Sequence, residues 1–179
     1  MEISINDLVV PGAFKTLKCV SSGDMNGVTS TTVQIPKVDP NNSFVLLISQ
    51  GLSSSASPFD PGQHLGRVDL ATDGLSLTFT RGVSGSDAFI LFALVVELWP
   101  GCVRSIQHVT GTAASPTASV LPVDPDKTLV IPRGAVSTTD SITNANFATY
   151  GATLTSETVV TFTAGVNTVT VYATVVEMN

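Results

Sequence analysis

The stretch "KVDPNNSFVLLISQG" at Lys37–Gly51 has a near-copy in "PVDPDKTLVIPRGAV" at Pro122–Val136. Each begins with a Val-Asp-Pro turn and ends in a run of strand-forming residues. Aligned, Val38-Asp39-Pro40 lies over Val123-Asp124-Pro125, Ile35 over Val120, and Phe44-Val45 over Leu129-Val130. Working outward, "LTFTRG" at Leu77–Gly82 matches "VTFTAG" at Val160–Gly165, and "FALVVEL" at Phe92–Leu98 matches "YATVVEM" at Tyr172–Met178. The order is preserved and the length differences fall in loops, as expected of two copies of one module.

Each copy reads as about six short strands. In the first they fall near Lys15–Val20, Thr32–Pro36, Ser43–Ser49, His64–Ala71, Leu75–Thr80 and Ala88–Leu98. In the second they fall near Val103–Val109, Thr117–Pro122, Lys127–Pro132, Asn146–Leu154, Thr158–Thr163 and Asn167–Met178. Val169, Val171, Ala173 and Val175 alternate with Thr170, Tyr172 and Thr174, a period-two signal with one apolar and one hydroxyl-rich face. Leu75, Leu77 and Phe79 against Ser76, Thr78 and Thr80 repeat it, so each sheet is expected to be antiparallel with one solvated face.

The fold class expected is therefore all-β: two tandem antiparallel β-sandwich or jelly-roll-like repeats behind a short N-terminal arm. The boundaries are an arm at 1–14, a first repeat at 15–99, a linker at 100–104 within "LWPGCVRS", and a second repeat at 105–179. Val103 and Ile106 follow the short linker closely, which predicts a fixed pair of modules.

Composition agrees. Val and Thr make up roughly a quarter of the chain, and β-branched residues suit a pleated surface. Only 12% of the 179 residues are charged, so the polar surface must be built from Ser, Thr, Asn and Gly. A net charge of −6 without a Lys/Arg cluster argues against nucleic-acid binding. The opening "MEISINDLVVPGAF" lacks the positive region of a secretory signal. The most apolar run, Ala88–Trp99, is too short for a membrane helix and carries Glu97. A soluble protein made in the cytoplasm, without a membrane partner, is the expectation.

Candidate chemistry is sparse. Asp39 and Asp124 are read as turn residues whose carboxylates accept a backbone N–H two residues on. His64 and His108 fall at unrelated places in the two copies, and Ser84 in "RGVSGSD" has no nucleophile-elbow context. Asp60 and Asp73 sit in D-P and D-G turn pairs instead of forming a hydrolytic carboxylate couple. Cys19 and Cys102 are read as ordinary thiols, with a bridge between them the alternative. Glu97 and Glu177 end matching "VVE" strings and are expected to point outward, guarding strand edges. No catalytic, cofactor or metal residue is assigned.

The doubled pattern, from "VDP..SFVLL" through "LTFTR" to a terminal "VVE", resembles repeat modules in small virion proteins of tailed bacteriophages, found on capsid surfaces and in tail appendages. The resemblance implies a β-sandwich and a virion structural role, and it carries over no active site. On that basis the expected function is that of a non-enzymatic capsid decoration or cement protein on the virion surface. It would bind the major capsid protein and its own copies as a homo-oligomer. A tail or fibre component recognising a host receptor is the alternative, and a small carbohydrate-active enzyme is disfavoured because Trp99, Tyr150 and Tyr172 are too scattered to form a sugar platform. The residues expected to contact partners are Ile3, Ile5, Leu8, Val9 and Val10 of the arm, able to add as a strand to a neighbouring sheet edge, and Phe59 in the Gly51–Gly66 loop.

Overall fold

The computed structural model describes residues 13–52, 61–85, 88–138, 150–164 and 169–179. The first half holds β1 (Phe14–Ser21), β2 (Ser30–Gln34), β3 (Ser43–Leu52), β4 (Gly66–Leu70), β5 (Ser76–Arg81) and β6 (Phe89–Leu98). The second holds β7 (Val103–Thr112), β8 (Thr117–Ser119), β9 (Thr128–Ser137), β10 (Tyr150–Ser156), β11 (Val159–Ala164) and β12 (Val169–Met178). The protein is all-β, and its sheets are antiparallel. One helical turn, Pro61–His64, stands where the sequence reading began β4, and the strand itself starts at Gly66.

Strand order explains why the two quoted stretches read alike. In the first half β6 lies between β1 and β3, and β5 lies between β2 and β4; in the second β12 lies between β7 and β9, and β11 between β10 and β8. Each half thus closes two small sheets over its own core. The first core takes Val20, Val45, Val68, Leu77, Phe79, Leu91 and Val95 from both sheets; the second takes Val109, Ala135, Val160, Phe162, Val171 and Val175. Leu77 and Phe79 are fully buried while Ser76, Thr78 and Thr80 on the other face of β5 are only partly covered, as the alternation requires. Burying a Phe or Leu side chain of this kind contributes roughly 1.5–3 kcal/mol.

A bulge interrupts the central pairing at the same place in each half. The extra residue is Ile48 on β3, opposite Phe92 and Ala93 of β6, and Arg133 on β9, opposite Tyr172 and Ala173 of β12. Pro132 precedes the second bulge, where a residue without an N–H is tolerated inside a strand. Past the bulge, Ser49 and Gly134 hold equivalent positions.

The halves do not stand apart. A turn at Pro100–Cys102 joins β6 to β7, which begins at Val103 where a strand is expected, so the linker ends before residue 103 and not at 104. A third cluster spans both halves: Phe44, Leu46, Val96 and Leu98 pack with Ile131, Val176, Leu129 and Met178. Arg67 of β4 also pairs with Gly134 of β9, so that β2, β5, β4, β9, β12 and β7 form one six-stranded sheet. This burial corrects the expectation of a solvated hydroxyl face on the last strand, because Thr174 and Val176 on that face are completely buried.

Candidate functional sites

The V-D-P turns and the V-V-E strings meet. Glu97 and Glu177 are each 2% exposed, which overturns the expectation that they guard solvated edges. In the first half Lys15 Nζ donates to Glu97 Oε1 at 2.8 Å, Thr16 Oγ1 donates to Oε2 at 3.1 Å, and the Asp39 N–H donates to Oε1 at 3.0 Å. In the second Arg104 Nη1 donates to Glu177 Oε1 at 2.9 Å, Ser105 Oγ to Oε2 at 3.3 Å, and the Asp124 N–H to Oε1 at 2.9 Å. A cation, a hydroxyl and the turn's own amide thus neutralise and satisfy each carboxylate. Burial pushes the Glu97 carboxyl up, but the hydrogen bonds from Lys15, the Asp39 amide and Thr16 outweigh it and hold the group below its ordinary value.

Each turn is completed by its aspartate as the sequence indicated. Asp39 Oδ1 accepts from the Asn41 N–H at 3.0 Å, and Asp124 Oδ1 from the Asp126 N–H at 3.1 Å. Those hydrogen bonds, first from the Asn41 amide and then from the Asn42 side chain, keep the Asp39 carboxyl below the usual range. The Lys-Thr and Arg-Ser pairs opening β1 and β7 were the available signal for these buried carboxylates. They differ in identity between the halves, and only the strand register shows that they face Glu97 and Glu177.

A second polar cluster closes the joint between the halves. Asp69 on β4 pairs with Arg133 on the β9 bulge, and Arg67 Nε lies 3.0 Å from Asp69 Oδ2. The Arg67 guanidinium stands 4.1 Å from the centroid of the Tyr172 ring. At the rim, His108 Nδ1 is 3.1 Å from the hydroxyl of buried Thr174. Burial, and then the charge of Arg133, hold the His108 pKa below its ordinary value. In the first half, buried Arg81 ties a loop through its Nε to the Val28 carbonyl at 2.8 Å and its Nη2 to the Met25 carbonyl at 2.6 Å.

The other candidates stay separate. His64 is buried beside Phe89, with ring centroids 6.4 Å apart, while His108 lies on β7 of the other half. Asp73 caps its own turn by accepting from the Leu75 N–H at 2.9 Å. Cys19 and Cys102 are free thiols. Ile3, Ile5, Leu8, Val9, Val10, Phe59 and Asp60 lie outside the described residues. Among the described residues no three His, Cys, Asp or Glu side chains gather as metal ligands, and no helix is long and apolar enough to cross a membrane.

One exposed patch is apolar. On the outward face of the β1, β6 and β3 sheet, Leu17 is 56% and Phe92 38% exposed, Cys19 lies open to solvent between them, and Ile48 in the bulge is 52% exposed. Half-buried Leu94 and Leu46 connect these residues to the cluster shared by the halves. No protein-family model, curated protein or solved structure matches this chain.

Proposed function

We propose that the chain is a non-enzymatic structural protein of a tailed-bacteriophage virion, a capsid decoration protein built from an internally duplicated β module, which binds the major capsid protein and its own copies. The observation that carries the reading is the duplicated glutamate network. Among the described residues the two most deeply buried carboxylates, Glu97 and Glu177, are engaged in matching fashion in fastening a turn to a strand. Buried charge here serves architecture, and the product is a rigid, sparsely charged β body suited to repeated contact. On this reading Ile3, Ile5, Leu8, Val9 and Val10, whose alternation in the sequence suits addition to a sheet edge, are the residues that contact the capsid protein.

Quantitative mass spectrometry and antibody labelling of purified particles from the encoding phage test this. Hundreds of copies distributed over the head are expected. A handful at the tail would move the protein to the receptor-binding alternative, and absence from particles would overturn the virion role. Deleting residues 2–12 should abolish binding to stripped heads while leaving the melting transition unchanged.

A further inference from the structure

We infer that the outward face of the β1, β6 and β3 sheet, centred on Leu17, Cys19, Ile48 and Phe92, is a self-association surface whose occupant is the same face of a second copy. In the second half the equivalent face, with Tyr172 and Arg133 where the first half has Phe92 and Ile48, is closed by Arg67 and Asp69 of β4. The first half's face carries apolar groups at those places and has them exposed. A contiguous apolar strip of this kind marks a contact surface on a folded protein.

Continuity with the interface inside the chain identifies the occupant. Where the two halves meet, the outward faces of equivalent sheets pack on each other, Phe44, Leu46, Val96 and Leu98 standing where the partner half has Leu129, Ile131, Val176 and Met178. Such faces are therefore built to cover their own kind, and the exposed strip extends that packed cluster along β6. An isologous dimer uses the same patch on both chains, and only residues near its two-fold axis meet their own equivalents, which is where the centre of the strip, Cys19, is placed. Leu17, Cys19, Ile48 and Phe92 carry no charge, so two chains of net charge −6 can meet there without facing like charges.

The self-association within the proposed function rests here on named residues, and the test needs no particle, so its failure leaves capsid binding to be decided separately. Sedimentation velocity of the full chain across a concentration series should show a monomer–dimer equilibrium. Phe92→Glu and, separately, Leu17→Glu should weaken it at least about tenfold with an unchanged melting temperature. In a Cys102→Ser background a short bismaleimide should join Cys19 to Cys19, a readout that stands even if a charged variant folds poorly. A chain that stays monomeric throughout, including one that still binds heads, would overturn the inference and assign the face to another partner. A dimer that survives both glutamates and fails to cross-link would overturn it too.

Discussion

In both halves a glutamate near the end of the last strand grips a V-D-P turn, yet past the β-bulge the halves diverge. The first half has Ile48 and Ser49, both exposed; the second has Arg133 and Gly134, both buried. Gly134 adopts φ +117°, and a Cβ there would stand 2.1 Å from the Gly66 carbonyl oxygen, so glycine lets β4 approach β9. Ser49 has no strand against it among the described pairings. The buried glutamate on its turn is present in each half, whereas the β4–β9 joint is present once. The apolar groups at the unmatched positions of the first half, Ile48 and Phe92, are exposed.

The largest effect should come from the shared feature. Glu97→Leu and Glu177→Leu each leave a part-buried turn amide and a hydroxyl without an acceptor, and each should cost about 2–4 kcal/mol in denaturant unfolding. Similar losses would support the matching roles. A loss confined to one half would break the comparison.

Next comes the feature present once. Gly134→Ala combines a strained φ with a backbone clash and should cost about 2–3 kcal/mol, while Ser49→Ala at the equivalent place should stay within about 0.5 kcal/mol. Equal effects at the two positions would contradict a β4–β9 joint that depends on Gly134.

Acid should act in stages. Groups whose pKa is depressed by folding add stability above their ordinary values and lose it as pH falls toward the folded ones. His108 is depressed from 6.5 and Glu97 from 4.5. The melting temperature should therefore hold near neutrality, decline as the pH falls below 6.5, and drop further below 4.5. His108→Gln should remove the first decline only, and a melting temperature that rises on acidification would exclude this assignment.

The smallest effects belong to the cations on the two glutamates. Lys15 and Arg104 have side chains 41% and 63% exposed, so solvent screens both pairs. Lys15→Met and Arg104→Met should each cost no more than about 1 kcal/mol, and high salt should shrink the difference from wild type.

Strand positions were legible because their signal is local: alternation in β5 and β12, Pro and Asp turns, and the order of matching strings. The glutamates were misread for the converse reason. A charge ending an apolar string looks like an exposed edge when its partners are 81 or 82 residues away, as Thr16 and Lys15 are from Glu97. The solvated face expected on β12 failed likewise, because period-two patterning distinguishes two faces without saying what covers the second.

By itself the sequence determined that this chain is all-β, where it turns, and that its motifs recur in order, since these depend on side-chain alternation and on backbone restrictions at neighbouring residues. Tertiary structure alone decided that Glu97 and Glu177 lie buried on the turns, that β4 joins β9 at Gly134, and that Leu17, Ile48 and Phe92 stay open. Those outcomes depend on which surfaces meet across the fold, and contacts between distant segments leave no periodic trace in either segment alone.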